Sequence, residues 1–279
     1  MVLFCGDVAV THPANPDYKP PVVMTFSGHD ATGGAGIGAD IESIVSQGCH
    51  PSTVVTCLTI QDSIDVAGVA PVDPEIVVES ARAVLEDMPV AAFKIGLLGS
   101  VEVIEAVHSV LYDYREIPLV MDPVLASGAG TPLGDEDIHE AMKTLLFPMV
   151  DVLTPNLREA AALAPEADSP AAMASSLIDQ GCDHVLLTGT HDDSHKVVNR
   201  LFHNHREIDR FEWDRLPHDY HGSGCTLAAT LAALLALGLD PLSASREAQQ
   251  FTWHSLLHAH RIGMGQHFPY RLFWSGEED

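Results

Sequence analysis

A chain of 279 residues lies near the length at which one hydrophobic core stops growing, and its 46% apolar residues with 21 glycines and 18 prolines exclude a fibre or a disordered segment. Fourteen Lys and Arg stand against 39 Asp and Glu, a formal charge of −25. That field repels phosphate backbones and anionic membranes, so nucleic acid is a poor partner, and any phosphate ligand must rely on backbone amides and a metal.

The first twenty residues end in the proline-rich stretch His12-Pro13-Ala14-Asn15-Pro16 and Lys19-Pro20-Pro21, which reads as an N-terminal extension (1–20) ahead of one domain (21–279). No basic segment precedes the apolar start, and no eighteen uncharged apolar residues run together, so neither a signal peptide nor a membrane span is expected. The five cysteines, Cys5, Cys49, Cys57, Cys182 and Cys225, form no C-x-x-C pair. Their odd number points to a reducing, cytoplasmic setting.

From residue 21 onward, short β-branched runs alternate with helical patterns. Strands are predicted at 22–26, 53–60, 92–95, 119–121, 152–153 and 185–187, and helices at 35–48, 74–87, 101–113, 135–147, 157–163 and 170–180. An antiparallel ribbon over 196–204 and 207–213 follows, then two closing helices at 224–238 and 241–262. Such alternation implies a mostly parallel sheet with helices on both faces, a three-layer α/β/α fold whose ligands bind beyond the carboxyl ends of the strands.

Four segments at such strand ends carry chemistry. Ser27-Gly28-His29-Asp30 through Gly33-Gly34-Ala35-Gly36-Ile37-Gly38-Ala39-Asp40 lacks the G-x-G-x-x-G order of a dinucleotide loop, and its acids disfavour a pyrophosphate. A small polar substrate suits it better, with Asp40 accepting hydrogen bonds from a hydroxyl or amine. Asp122, leaving a strand before the flexible segment 126–131, is a possible metal neighbour. Asn156 and Glu159 lie three apart across a helix start, either as hard ligands reaching Mg²⁺ through water or as an ordinary capping box. Gly222-Ser223-Gly224-Cys225 opens a small-residue helix, where glycines and first-turn amides form an anion hole able to hold a phosphoryl group in flight. Cys225, in that first turn, is placed where a thiol pKa can fall below about 8.5. His254 and His258 have i, i+4 spacing but no third ligand, so surface histidines are the expectation there.

In order along the chain, Ser27-Gly28-His29-Asp30, Gly33-Gly34-Ala35-Gly36-Ile37 with Ala39-Asp40, Thr56-Cys57-Leu58-Thr59-Ile60-Gln61, Lys94-Ile95-Gly96-Leu97-Leu98, Asp122-Pro123-Val124, Leu153-Thr154-Pro155-Asn156-Leu157 with Glu159-Ala160-Ala161, and His221-Gly222-Ser223-Gly224-Cys225-Thr226-Leu227 resemble the hydroxymethylpyrimidine/phosphomethylpyrimidine kinases of thiamine biosynthesis. These belong to the ribokinase-like superfamily, and the resemblance covers about residues 22–262. It implies a ribokinase-like fold, ATP and Mg²⁺ as cosubstrate and cofactor, and a homodimer. Gly222, Ser223, Gly224 and Cys225 would be catalytic; Gly28, Ala35, Asp40, Thr59 and Gln61 would line the pyrimidine pocket, with Gln61 pairing to the ring. Asn156, Glu159, Thr188 and Gly189 would serve Mg-ATP. A cysteine where sugar-kinase relatives have an aspartate favours a hydroxymethyl heterocycle, with pyridoxal as the alternative substrate. Thr188-Gly189-Thr190-His191 replaces the Lys-Gly-Gly-His of many members, which removes a phosphate-contacting cation and motivates a third reading, a non-catalytic binding protein.

Overall fold

The computed structural model describes residues 19–189 and 195–276. The expected extension up to residue 18, Cys5, and Thr190 and His191 lie outside the described residues.

The described strands form one nine-stranded sheet in the order β3-β2-β1-β4-β5-β6-β7-β8-β9. They are β1 Val22–His29, β2 His50–Gln61, β3 Val66–Pro71, β4 Val90–Ile95, β5 Leu119–Met121, β6 Val152–Leu153, β7 His184–Leu187, β8 Lys196–His203 and β9 Arg206–Asp214. Pairing is parallel from β2 through β1, β4, β5 and β6 to β7, and antiparallel for β2–β3, β7–β8 and β8–β9.

Alternation along each strand divides the core in two. Met24, Phe26, Phe93, Ile95, Met121, Leu153, Val185 and Leu187 face one apolar cluster, shared with helices α2 Pro74–Asp87, α3 Val101–Leu111, α5 Leu157–Leu163 and α6 Pro170–Asp179. Val23, Ala92, Val120, Val152, Leu186 and Leu201 face the other, shared with α1 Gly36–Ser46, α7 Ser223–Ala236 and α8 Pro241–Leu257. The expected three layers result. In α7 the run from Thr226 to Leu235 is buried, and its alanines let the helix lie close over β1, β4 and β5.

Three boundaries differ from the sequence expectation. β3, with the small residues Ala67, Gly68 and Ala70, carries no strand pattern of its own and exists because it pairs with the outer half of β2. The predicted helix at 135–147 is α4 Glu136–Ala141, which widens to a π-type turn over Met142–Leu146 and ends in a 3₁₀ turn containing Pro148, whose missing N–H cannot continue a helix. The last helix stops at Leu257 rather than 262, since the chain turns back at His260 to bridge Phe268. No described helix is long and apolar enough to cross a membrane.

Candidate active site

The strand order reverses at β1, whose neighbours β2 and β4 lead away in opposite directions. At that switch point the carboxyl ends of the parallel strands splay apart and leave a crevice. Ser27, Lys94 and Asp122 stand there on or just beyond β1, β4 and β5, and α7 brings its N-terminus to the same place: a Cβ on Gly224 would lie 3.2 Å from the Asp122 carboxylate.

A buried charge pair forms the floor. Lys94 Nζ donates to Asp40 Oδ1 at 2.8 Å, to Asp40 Oδ2 at 3.0 Å and to Ser27 Oγ at 2.9 Å, and both charged side chains are fully buried. Burial opposes the lysine's charge, but Asp40, Cys225 and Asp122 outweigh it and raise its pKa. The Asp40 carboxylate is fully buried, with both oxygens on the Lys94 ammonium, so it holds Lys94 in place from inside the protein.

Asp122 is pushed up to about 6, first by burial and then by Asp40, with Lys94 and a hydrogen bond from Cys225 pulling the other way. Cys225, half-buried, has its thiol pushed up to about 12 by the surrounding protein and by Asp122 and Asp40, although Lys94 and the Gly36 amide favour the thiolate. This corrects the expectation of a lowered thiol pKa. Burial and two carboxylates set this thiol, although it lies in the first turn of a helix.

The turn before α7 has the backbone geometry that its glycines suggest. Gly222 sits at φ +79° as the N-cap of α7, and no side chain caps the helix, so first-turn amides remain available to an anion. A Cβ at Gly222 would collide with the Gly34 carbonyl oxygen. The turn is tied to the glycine loop at two further points. His221 Nε2 meets Asp30 Oδ2 at 2.7 Å, while Asp30 also accepts from the Thr32 amide and hydroxyl and the Ala35 amide. Burial works against the Asp30 charge, but the bonds from His221 and Thr32 prevail and lower its pKa. The buried guanidinium of Arg271 donates to Gly34 O at 2.5 Å, to Thr226 Oγ1 at 2.8 Å and to Glu42 Oε2 at 3.0 Å.

Asn156 and Glu159 do form a capping box at the start of α5. Asn156 Oδ1 accepts from the Arg158 and Glu159 amides, and Glu159 Oε2 accepts from the Asn156 amide at 2.9 Å. The amide oxygen of Asn156 is thus committed to the helix. Glu159 is pushed up to about 8 by burial and by Asp122. A buried carboxyl of this kind beside a second acid is a hard oxygen donor suited to a divalent cation. Thr188 follows β7 and bridges Asn156, and Gly189 N donates to the Asn199 amide oxygen.

The expected pocket residues lie around β1 and β2. A Cβ on Gly28 would stand 2.8 Å from Cys57 Sγ, and Ala35 is the N-cap of α1. Thr59 Oγ1 donates to the His29 carbonyl at 3.0 Å, and Gln61 Nε2 to Thr59 Oγ1 at 2.6 Å, which brings both onto the ribbon overhanging the crevice. The ribbon's tip is latched: Asp65 accepts from Ser127 Oγ at 2.7 Å and Thr131 Oγ1 at 2.6 Å, and Ser63 O accepts from the Gln266 amide at 2.8 Å. His254 and His258 stack on Phe273 at ring separations of 5.7 and 5.4 Å, as surface-packed rings.

Sequence reasoning gave no role to Lys94, to the His221–Asp30 pair, or to Arg271. Lys94 had a signal, a lysine inside the apolar strand segment Ala91-Ala92-Phe93-Lys94-Ile95. The other two have none, because their partners lie 191 and up to 237 residues away.

A crevice at a switch point, an uncapped glycine turn facing it, and clustered acids of raised pKa define a small-molecule phosphotransferase on a ribokinase-like three-layer scaffold. The family model for phosphomethylpyrimidine kinase matches residues 30–271, and the chain belongs to that family. A hydroxymethylpyrimidine/phosphomethylpyrimidine kinase of Synechococcus elongatus is 36% identical over 263 residues, covering 91% of this chain and 99% of that protein. Among solved structures, a phosphomethylpyrimidine kinase from Clostridium difficile superposes with a TM-score of 0.74 at 28% identity, over 85% of this chain and all of the other. An ADP complex of Bacillus subtilis pyridoxal kinase reaches a TM-score of 0.84 at 24% identity, over 91% and 98% of the two chains, which speaks for the fold alone.

Proposed function

We propose that this protein uses ATP to phosphorylate 4-amino-5-hydroxymethyl-2-methylpyrimidine and then its monophosphate, in thiamine biosynthesis. The observation that carries this reading is the uncapped turn from Gly222 to Cys225 facing Asp122 and Lys94, in a chain whose family membership spans nearly its whole length. The heterocycle sits against Gly28, Ala35 and the Thr59–Gln61 face of the ribbon, which brings its hydroxymethyl group toward Cys225. The γ-phosphate lies on the first-turn amides of α7, with the nucleotide extending toward Asn156, Thr188 and Gly189.

Those amides are oriented before the substrate arrives, held by Gly222 and the His221–Asp30 pair, so they stabilise developing charge without reorganising. Lys94 is neutralised by Asp40 and sets the local potential from below. With its thiol near 12, Cys225 is a neutral hydrogen-bonding partner and not a ready thiolate. The hydroxyl's proton therefore passes to the Cys225–Asp122 pair, in which the carboxyl near 6 has the better matched basicity. Glu159 would hold Mg²⁺, with Asn156 reaching it only through water, which leaves the Asp122 carboxyl to the proton; when bound, the ion neutralises phosphate charge. The cluster supports a metal because the chain has few cations for that task.

The four free cysteines Cys49, Cys57, Cys182 and Cys225 support a reducing, cytoplasmic setting. Exposed Leu58, Ile60 and Ile64 on the β2–β3 ribbon support a homodimer, for which light scattering would give twice the chain mass. The function is tested by coupled ATP turnover with the pyrimidine alcohol, its monophosphate and pyridoxal in parallel. Turnover of the first two is expected; turnover of pyridoxal alone would move the assignment to the other heterocycle, and binding without turnover would make the chain a carrier.

A further inference from the structure

Among the described residues, Asp183, His184 and His203 form a group whose ligand atoms all lie within 4.8 Å of one another. It stands at the start of β7, the opposite end of the sheet from the crevice, and takes no part in the site above. The sheet register builds it: His184 and His203 are directly opposed partners of the antiparallel β7–β8 pair, so both rings emerge on one face. They stack at 4.2 Å between centroids and 14° between planes, which turns both Nδ1 atoms toward Asp183. His184 Nδ1 is 3.0 Å from Asp183 Oδ2, and His203 Nδ1 is 3.3 Å from Asp183 Oδ1.

Both nitrogen-to-carboxylate separations are close to the donor spacing of a metal site, and rotation of the partly exposed His203 ring out of the stack would turn its Nδ1 lone pair onto the point that His184 faces. Bonds of about 2.0–2.1 Å in a tetrahedral zinc site space the donor atoms roughly 3.3 Å apart. Two imidazoles and a carboxylate are borderline donors that favour Zn²⁺, Co²⁺ or Ni²⁺ over Mg²⁺. Each Nδ1 also faces a backbone carbonyl, Asp151 O at 3.2 Å from His184 Nδ1 and Asp183 O at 3.1 Å from His203 Nδ1. In the metal-free chain they compete for the ring protons. His203 also has an outer partner, the Asn204 side-chain amide at 2.8 Å from Nε2, which can flip to accept a proton there and orient the ring for metal binding through Nδ1. Access is open, since the Asp183 side chain is 56% exposed and His203 32%, while His184 at 11% provides the fixed wall.

We propose that Asp183, His184 and His203 form a binding site for a divalent transition-metal ion of the zinc class, separate from the kinase centre, that pins β7 to β8. The test uses untagged full-length protein stripped with chelator and dialysed in excess Mg²⁺, which fills hard-oxygen sites, then titrated with Zn²⁺ and separately with Co²⁺. Wild type should bind one equivalent more than either His203→Gln or Asp183→Asn, and should show a Co²⁺ visible band that both variants lose. Its melting temperature should rise with Zn²⁺ while theirs does not. Asp183 is exposed and His203 partly so, both far from the crevice, and the variants' kinase activity should stay within about twofold of wild type, so loss of binding is separable from loss of fold. Equal stoichiometry and spectra in all three proteins would overturn the proposal, as would wild type that binds no Zn²⁺.

Discussion

Lys94 is one of four lysines in a chain of net charge −25, yet its ammonium is wholly inside the protein and bound to Asp40 and Ser27. Around it stand a neutral thiol and a carboxyl of raised pKa, and each is testable. Cys225→Ala should lower kcat by more than about tenfold with an unaltered circular dichroism spectrum; an unchanged rate would remove the thiol from the mechanism. For Asp122 the sign follows from the direction of its shift. Its pKa rises from 3.8 to about 6 on folding, so between those values the native state holds the proton more tightly than the unfolded chain. The stabilisation is complete below 3.8 and lost as pH climbs to 6. Urea unfolding at a series of pH values should therefore show the gap between wild type and Asp122→Asn moving in favour of the variant across that window, and a constant gap would refute the buried carboxyl.

At the scale of elements, the proposed anion hole depends on how a turn meets a loop. Gly222 has a left-handed φ, and its missing side chain lets the Gly34 carbonyl approach. Gly222→Ala adds strain and a collision at once, and kcat should fall on the order of tenfold or more while KM for ATP changes less, because the amides are displaced from the transition state. A parallel fall in binding and rate would instead indicate a collapsed pocket. The latch of Asp65 on Ser127 and Thr131 belongs to the same scale. It ties the β2–β3 ribbon to the segment after Asp122, closing one wall of the crevice with side chains far apart in sequence.

Over the whole molecule, the excess of acid sets how an anionic nucleotide arrives. Long-range repulsion is screened over about 8 Å at physiological salt, so kcat/KM for ATP should rise as ionic strength goes from very low to about 0.15 M. A fall over that range would mean that a local cationic patch dominates. The layered order, the two-sided strands and the glycine turn before α7 were readable because each is local: pleat alternation, a capping residue, a run of small apolar side chains. The motifs at 27–40, 122, 156–159 and 221–225 were readable too, since each lies at a strand end or helix start. Sequence by itself therefore determined the fold class, the family and the segments that the fold brings to the crevice. Only the tertiary structure decided that Asp40 belongs to Lys94, that the Cys225 thiol is raised instead of lowered, that β3 exists, and that two histidines oppose each other across β7 and β8. The reason is physical: pKa values and strand partners are set by burial and by charges brought together from distant parts of the chain, and local pattern carries no record of them.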